Sequence, residues 1–173
     1  MAYTFENHLH NFACWTAARA VQRNFTTTQN IVTVIEASDL IRVEEYQIQT
    51  AQEFDTFHRR CCKQLIESFK IILPELDVSY GRAAKIVAIY IKTSVIIKTL
   101  GEGNLAKVSH PPIDRILLAN IHKDYKDLNV MNNPWTMLTE TEYFELIAKL
   151  RTIRIEKFWE LEVYWSVAQI HKK

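Results

Sequence analysis

Apolar side chains recur chiefly at three- and four-residue steps along this chain, the spacing of helices that bury one face. From Phe5 to Gln22 the positions Leu9, Phe12, Ala13, Trp15, Ala17, Ala20 and Val21 mark the inner side of a first helix. Thr26-Thr27-Thr28 offers caps for a second, Gln29 to Ala37, with Ile31, Val34 and Ile35 inward, although its β-branched content also fits a strand. Ile41 to Gln49 alternates without a hairpin turn beside it and reads as a connection. Thr50-Ala51-Gln52-Glu53 spells a capping box that starts a long third helix. Phe54, Phe57, Cys61, Leu65 and Phe69 point inward there, and Pro74 ends it.

Ser79 is placed to cap a fourth helix running to about Ile97. Ala83, Ala84, Ile86, Val87, Ile89, Tyr90 and Ile91 make it apolar around most of its circumference, as a central helix is. Gly101-Glu102-Gly103-Asn104 and a connection to His110 follow, and Pro111-Pro112 is expected to open a fifth helix, because proline lacks the amide that a first turn leaves unpaired. Ile113, Ile116, Leu117 and Ala119 are its expected buried side. After a polar stretch that closes on Pro134-Trp135, a second capping box, Thr139-Glu140-Thr141-Glu142, starts a sixth helix bearing Tyr143, Phe144, Ile147 and Leu150. A last helix is expected to carry Phe158, Trp159, Leu161, Tyr164, Trp165 and Val167. The fold class that follows is all-α: a single compact domain of about seven helices over residues 1–173.

Composition supports this picture and narrows the chemistry. With 173 residues, 48% apolar and 24% charged, the chain can bury one ordinary core and is not a largely disordered polymer. Three glycines and four prolines leave few turns, so the helices should be long. A formal charge of +1 lacks the global basic footprint of a phosphate binder, and any nucleic-acid site must be a local patch. Cys14, Cys61 and Cys62 have neither disulfide nor zinc spacing, and no signal peptide or membrane-spanning run stands out, so a cytoplasmic protein off the membrane is expected. Phosphate-cradling glycine loops, paired metal histidines and nucleophile elbows are missing, and neither a metal nor a cofactor is called for.

Three groups of residues remain as candidates for chemistry. His58 and Cys61 sit one turn apart, which is half a metal site or simply a packed pair. His8, His10, Asn11 and Arg19 gather near Trp15, a cluster that fits a base or sugar and equally fits helix-end hydrogen bonding. The third group joins Gly81-Arg82-Ala83-Ala84-Lys85 to His110-Pro111-Pro112-Ile113-Asp114-Arg115. Lys85 lies in the first turns of the most apolar helix, where burial would favour a neutral, nucleophilic amine. Arg82, Lys85, Lys92 and Thr93 also share one side of the wheel, broken by Ile89 and Ile96, so a lysine snorkelling to water is the competing reading. Asp114, expected in the first turn of its helix, is there either to stabilise a cationic sugar and deprotonate the amine or as a first-turn charge paired with Arg115.

Ala84-Lys85-Ile86-Val87-Ala88-Ile89-Tyr90-Ile91-Lys92, followed by Pro112-Ile113-Asp114-Arg115-Ile116, resembles the lysine helix and the proline-hydrophobic-aspartate element of the helix-hairpin-helix DNA glycosylase superfamily, nearest its divergent 8-oxoguanine branch. The resemblance spans about a fifth of the chain, and where that family has a glycine-hydrophobic-glycine hairpin this chain reads Val78-Ser79-Tyr80-Gly81. It implies a base-excision glycosylase/lyase in which Lys85 forms the Schiff base and Asp114 assists, with Arg82, Lys92 and Arg115 contacting DNA phosphates and Trp15, Trp135 or Trp159 stacking the base. The chain is also similar to bacterial proteins of unassigned role that share the His-Asn-Phe opening and the His-Pro-Pro-Ile-Asp element. The alternative expectation is a non-enzymatic helical module, binding a protein partner or a second copy through its C-terminal aromatic helices.

Overall fold

A computed structural model describes residues 2–21, 25–132 and 134–165. They form an all-α fold in which α1 (Phe5–Val21), α2 (Thr28–Glu36), α3 (Ala51–Ile72) and α4 (Tyr80–Ile91) build the larger part of the core. After them come α5 (Asn104–Val108), α6 (Arg115–Asp124) and α7 (Glu140–Leu150), with 3-10 turns between. No strand occurs among the described residues, so the β-branched second segment is helical: Thr27 caps it and Ile31, Val34 and Ile35 are fully buried.

Helix α4 is central, as its all-round apolarity predicts. It packs against α1, α3, α7 and the Trp135–Met137 turn. The approach of α1 depends on small residues, since its buried stripe is Ala13, Cys14, Ala17, Ala18 and Val21. That corrects the predicted inner face: Phe12 and Trp15 are about half exposed and stack on each other at 5.9 Å. A row of alanines lets two backbones close together where a Phe or Trp would hold them apart. Both capping boxes form, Thr50 with Glu53 and Thr139 with Glu142.

Past Ile91 the fourth helix widens into a π-helical stretch, Lys92–Ile97. There the Thr93 and Ser94 hydroxyls donate to the carbonyls of Ile89 and Tyr90, which the backbone ladder also uses. Leu100 and Gly101 then turn left-handed, with φ of 55° and 77°, and stop the helix.

Four elements differ from expectation. Ile41 to Gln49, expected as a connection, begins inside a 3-10 helix, Asp39–Glu45. Asn104–Val108, expected as connection, is a short helix. Pro111 and Pro112 do not open the next helix; they lie outside it, and α6 begins at Arg115 with Asp114 as its N-cap (φ −154°, ψ 176°). An aspartate cap that accepts an amide outranks proline's tolerance of a first turn. The final aromatic segment is a 3-10 helix, Phe158–Tyr164; Phe158 and Leu161 are buried and Tyr164 packs against the core. That three-residue period matches a 3-10 turn and not an α-helix. Val167 lies outside the described residues.

Candidate functional site: the Lys85–Asp114 pair and the Trp135 cavity

Lys85 stands in the second turn of α4, and its side chain is only 6% exposed. The snorkelling reading is therefore corrected: the ammonium ends on protein partners and not in bulk water. Its Nζ donates to Asp114 Oδ2 at 3.0 Å and to the carbonyl of Pro112 at 3.2 Å. The second bond depends on where α6 begins, because Pro112 precedes the Asp114 cap and its carbonyl is outside the helix. Asp114 uses its other oxygen to cap α6, accepting the Leu117 amide at 2.9 Å. Burial lowers the Lys85 pKa, and the carboxylate of Asp114 opposes that shift without cancelling it.

Beside the pair lies the Trp135 ring, with Lys85 Nζ 5.6 Å from its centroid. Trp135 also lines a cavity of about 450 Å³ together with Arg115, Leu118, Met131, Asn132, Pro134 and Thr136. The turn that carries it is pinned to the start of α4: Ser79 Oγ donates to the Thr136 carbonyl at 2.7 Å, and the Gly81 amide to the Leu138 carbonyl at 3.0 Å. Only glycine fits at 81, because a Cβ there would stand 1.9 Å from the Trp135 carbonyl oxygen.

Of the three cations expected to meet phosphate, Arg115 lines this cavity. Arg82 lies instead over the Phe25 ring at 4.5 Å. Lys92 is ion-paired with Glu162 and sits 5.1 Å from the Trp165 centroid. Glu162, a residue that no local motif marks, is thereby part of the site. Among the stacking candidates, Trp159 is packed against Gly101, to whose carbonyl its Nε1 donates at 3.2 Å, and Trp15 pairs with Phe12.

The other candidate clusters resolve into packing. His58 is fully buried, with Nδ1 3.1 Å from the Tyr80 hydroxyl and Nε2 3.3 Å from that of Tyr143. Tyr143 in turn meets His110, which reaches Asp55 at 2.9 Å, and Arg151 clamps Asp55 through both carboxylate oxygens. Cys61 does not join that chain, all three cysteines are buried free thiols, and no metal-binding group occurs among the described residues. His10 bonds Tyr90 at 2.9 Å and His8 bonds Tyr3 at 3.2 Å, so the first-helix histidines serve contacts with neighbouring tyrosines. Among the described residues no helix is long and apolar enough to cross a membrane. Phe158 and Leu161 are buried, which withdraws these two side chains from the interface expected of the C-terminal segment.

Neither a family model, a curated protein nor a solved structure matches the chain.

Proposed function

We propose that this chain is a base-excision glycosylase/lyase of DNA that works through Lys85 as a Schiff-base nucleophile and Asp114 as its proton acceptor. The observation that carries the reading is the buried amine, hydrogen-bonded to a carboxylate at 3.0 Å and 5.6 Å from the ring of Trp135, which lines a cavity that Lys85 and Asp114 do not themselves line. A lysine becomes a nucleophile at neutral pH when desolvation weakens its hold on the proton, and burial acts on Lys85 in that direction.

In this reading a flipped base enters the cavity and stacks on Trp135, while Arg115 meets the neighbouring phosphate. Lys85 Nζ passes a proton to Asp114 and attacks C1′ of the sugar. The N-glycosidic bond breaks and the base leaves with its electron pair, taking up a proton from solvent. The C1′–O4′ bond then opens as a proton moves from nitrogen to O4′, leaving the protonated Schiff base, and loss of a C2′ proton expels the 3′ phosphate. The resemblance of the Lys85 helix and the Pro112-Ile113-Asp114 element to the helix-hairpin-helix glycosylases points to the same two residues. Incubation with duplexes carrying 8-oxoguanine or an abasic site tests the reading: wild type should release base or nick the strand, and Lys85→Gln should lose both. Full activity in Lys85→Gln would remove the assignment.

A further inference from the structure

Lys85 has a charged neighbourhood larger than its own ion pair. Lys92, the first residue of the π-helical stretch that continues α4, follows it by roughly two turns on the same side, so both ammonium groups project toward one region. Opposite Lys92 the 158–164 segment delivers Glu162, whose side chain is 13% exposed and forms an ion pair with Lys92. The segment is held there at several points: Trp159 Nε1 donates to the Gly101 carbonyl at 3.2 Å, Lys157 pairs with Glu102, and Asn120 Nδ2 donates to the Tyr164 carbonyl at 2.8 Å. Two cations and two carboxylates, Lys85, Lys92, Asp114 and Glu162, thus share one largely buried region.

We propose that Glu162, together with Lys92, is a positioning residue for Lys85: the pair brings one carboxylate and one ammonium to the amine, and their balance sets how readily Lys85 gives up its proton. The groups around Lys85 are Asp114 and the Pro112 carbonyl from the start of α6, Glu162 from the C-terminal segment, Lys92 from the π-helical stretch after α4 and the Trp135 ring. Asp114 bonds Lys85 directly, so removing its charge also removes a contact of the amine. Glu162 belongs to a different segment and makes its ion pair with Lys92, not with Lys85. Its carboxylate favours the ammonium form of Lys85, and Lys92 favours the free amine. Burial raises the pKa of Glu162, and the ion pair with Lys92 opposes that shift without cancelling it.

This inference rests on the reading of Lys85 as the nucleophile, and its test reads the lysine directly. Protein labelled with ¹³C-lysine is titrated by NMR, with the Lys85 Cε signal assigned from its loss in Lys85→Gln. Glu162→Gln should move the Lys85 midpoint to lower pH by about half a unit or more, because an attracting charge is gone. Glu162→Asp, which keeps the charge, should restore most of the wild-type midpoint. Lys92→Met should move it the other way, and this variant supplies an independent arm where Glu162→Gln fails to fold. A midpoint that stays put or rises in Glu162→Gln, or that shifts as far in Glu162→Asp, would overturn the proposal; so would an unmoved midpoint in Lys92→Met. Shifts in the predicted directions from a wild type that does not nick an abasic-site duplex would remove the lyase reading and leave this tuning intact.

Discussion

Lys85 Nζ and Asp114 Oδ2 lie 3.0 Å apart, while the other oxygen of the same carboxyl group accepts the Leu117 amide at 2.9 Å. One aspartate therefore ends an extended segment, starts a helix and neutralises a buried ammonium. The two duties separate by substitution. Asp114→Asn keeps a capping oxygen and loses the charge, which should cost about 2 kcal/mol at neutral pH because Lys85 is left buried without its partner. Asp114→Ala should lose about 1 kcal/mol more with the cap. Urea unfolding orders the three proteins, and an Asp114→Asn variant as stable as wild type would show that the pair contributes nothing to the fold.

Gly81 is where the cavity turn touches the lysine helix. Gly81→Ala would force the new methyl and the Trp135 carbonyl apart from a 1.9 Å approach, and the obstacle is backbone that cannot rotate away. A loss of about 2 kcal/mol or more is expected, seen as a fall of several degrees in Tm. An unchanged Tm would mean that the turn at Trp135 is not pinned to α4.

Much of the fold was legible because short-range signals agree with the packing. The capping boxes at Thr50 and Thr139, the Ser79 cap and the all-round apolarity of α4 all appear where the pattern put them. Lys85 and Asp114 were legible as candidates, and their contact follows from elements that could be placed roughly along the chain. What the pattern missed is decided by tertiary partners. Phe12 and Trp15 looked like core by size, yet the alanines beside them are what α4 approaches. Pro111-Pro112 looked like a helix start, but the Asp114 side chain captures the Leu117 amide first. Glu162 carries no local signal at all, and Trp135 stood only as one of three tryptophans that could stack a base; contacts with residues distant in the chain, Lys92 and Lys85 respectively, single them out.

Acid should weaken this protein through its buried histidines. Burial holds the pKa of His110 down at about 4, against 6.5 for the ordinary side chain, with Asp55 only partly offsetting the effect, and burial pushes His58 well below its usual value as well. The unfolded chain then binds protons that the folded chain refuses between pH 6.5 and about 4, so stability falls as pH drops through that window. Burial alone would raise the pKa of Asp55, but hydrogen bonds from Arg151 and His110 outweigh it and hold the carboxyl below its usual value, so its stabilising contribution persists until more acidic pH. Calorimetry across this range should show a loss of about 2 kcal/mol or more. In His110→Gln the slope should be shallower, and a stability flat from pH 7 to about 4 would contradict the assignment of these rings as buried and neutral.

Lys85 as an amine nucleophile toward a sugar carbon would pass through a Schiff base, which borohydride reduces to a stable protein–DNA adduct; the substrate for this trapping is a duplex with an abasic site. Wild type should give a trapped species whose modified peptide contains Lys85, and Lys85→Gln should give none. Folded wild-type protein that yields no adduct, or an adduct that persists unchanged in Lys85→Gln, would contradict the account.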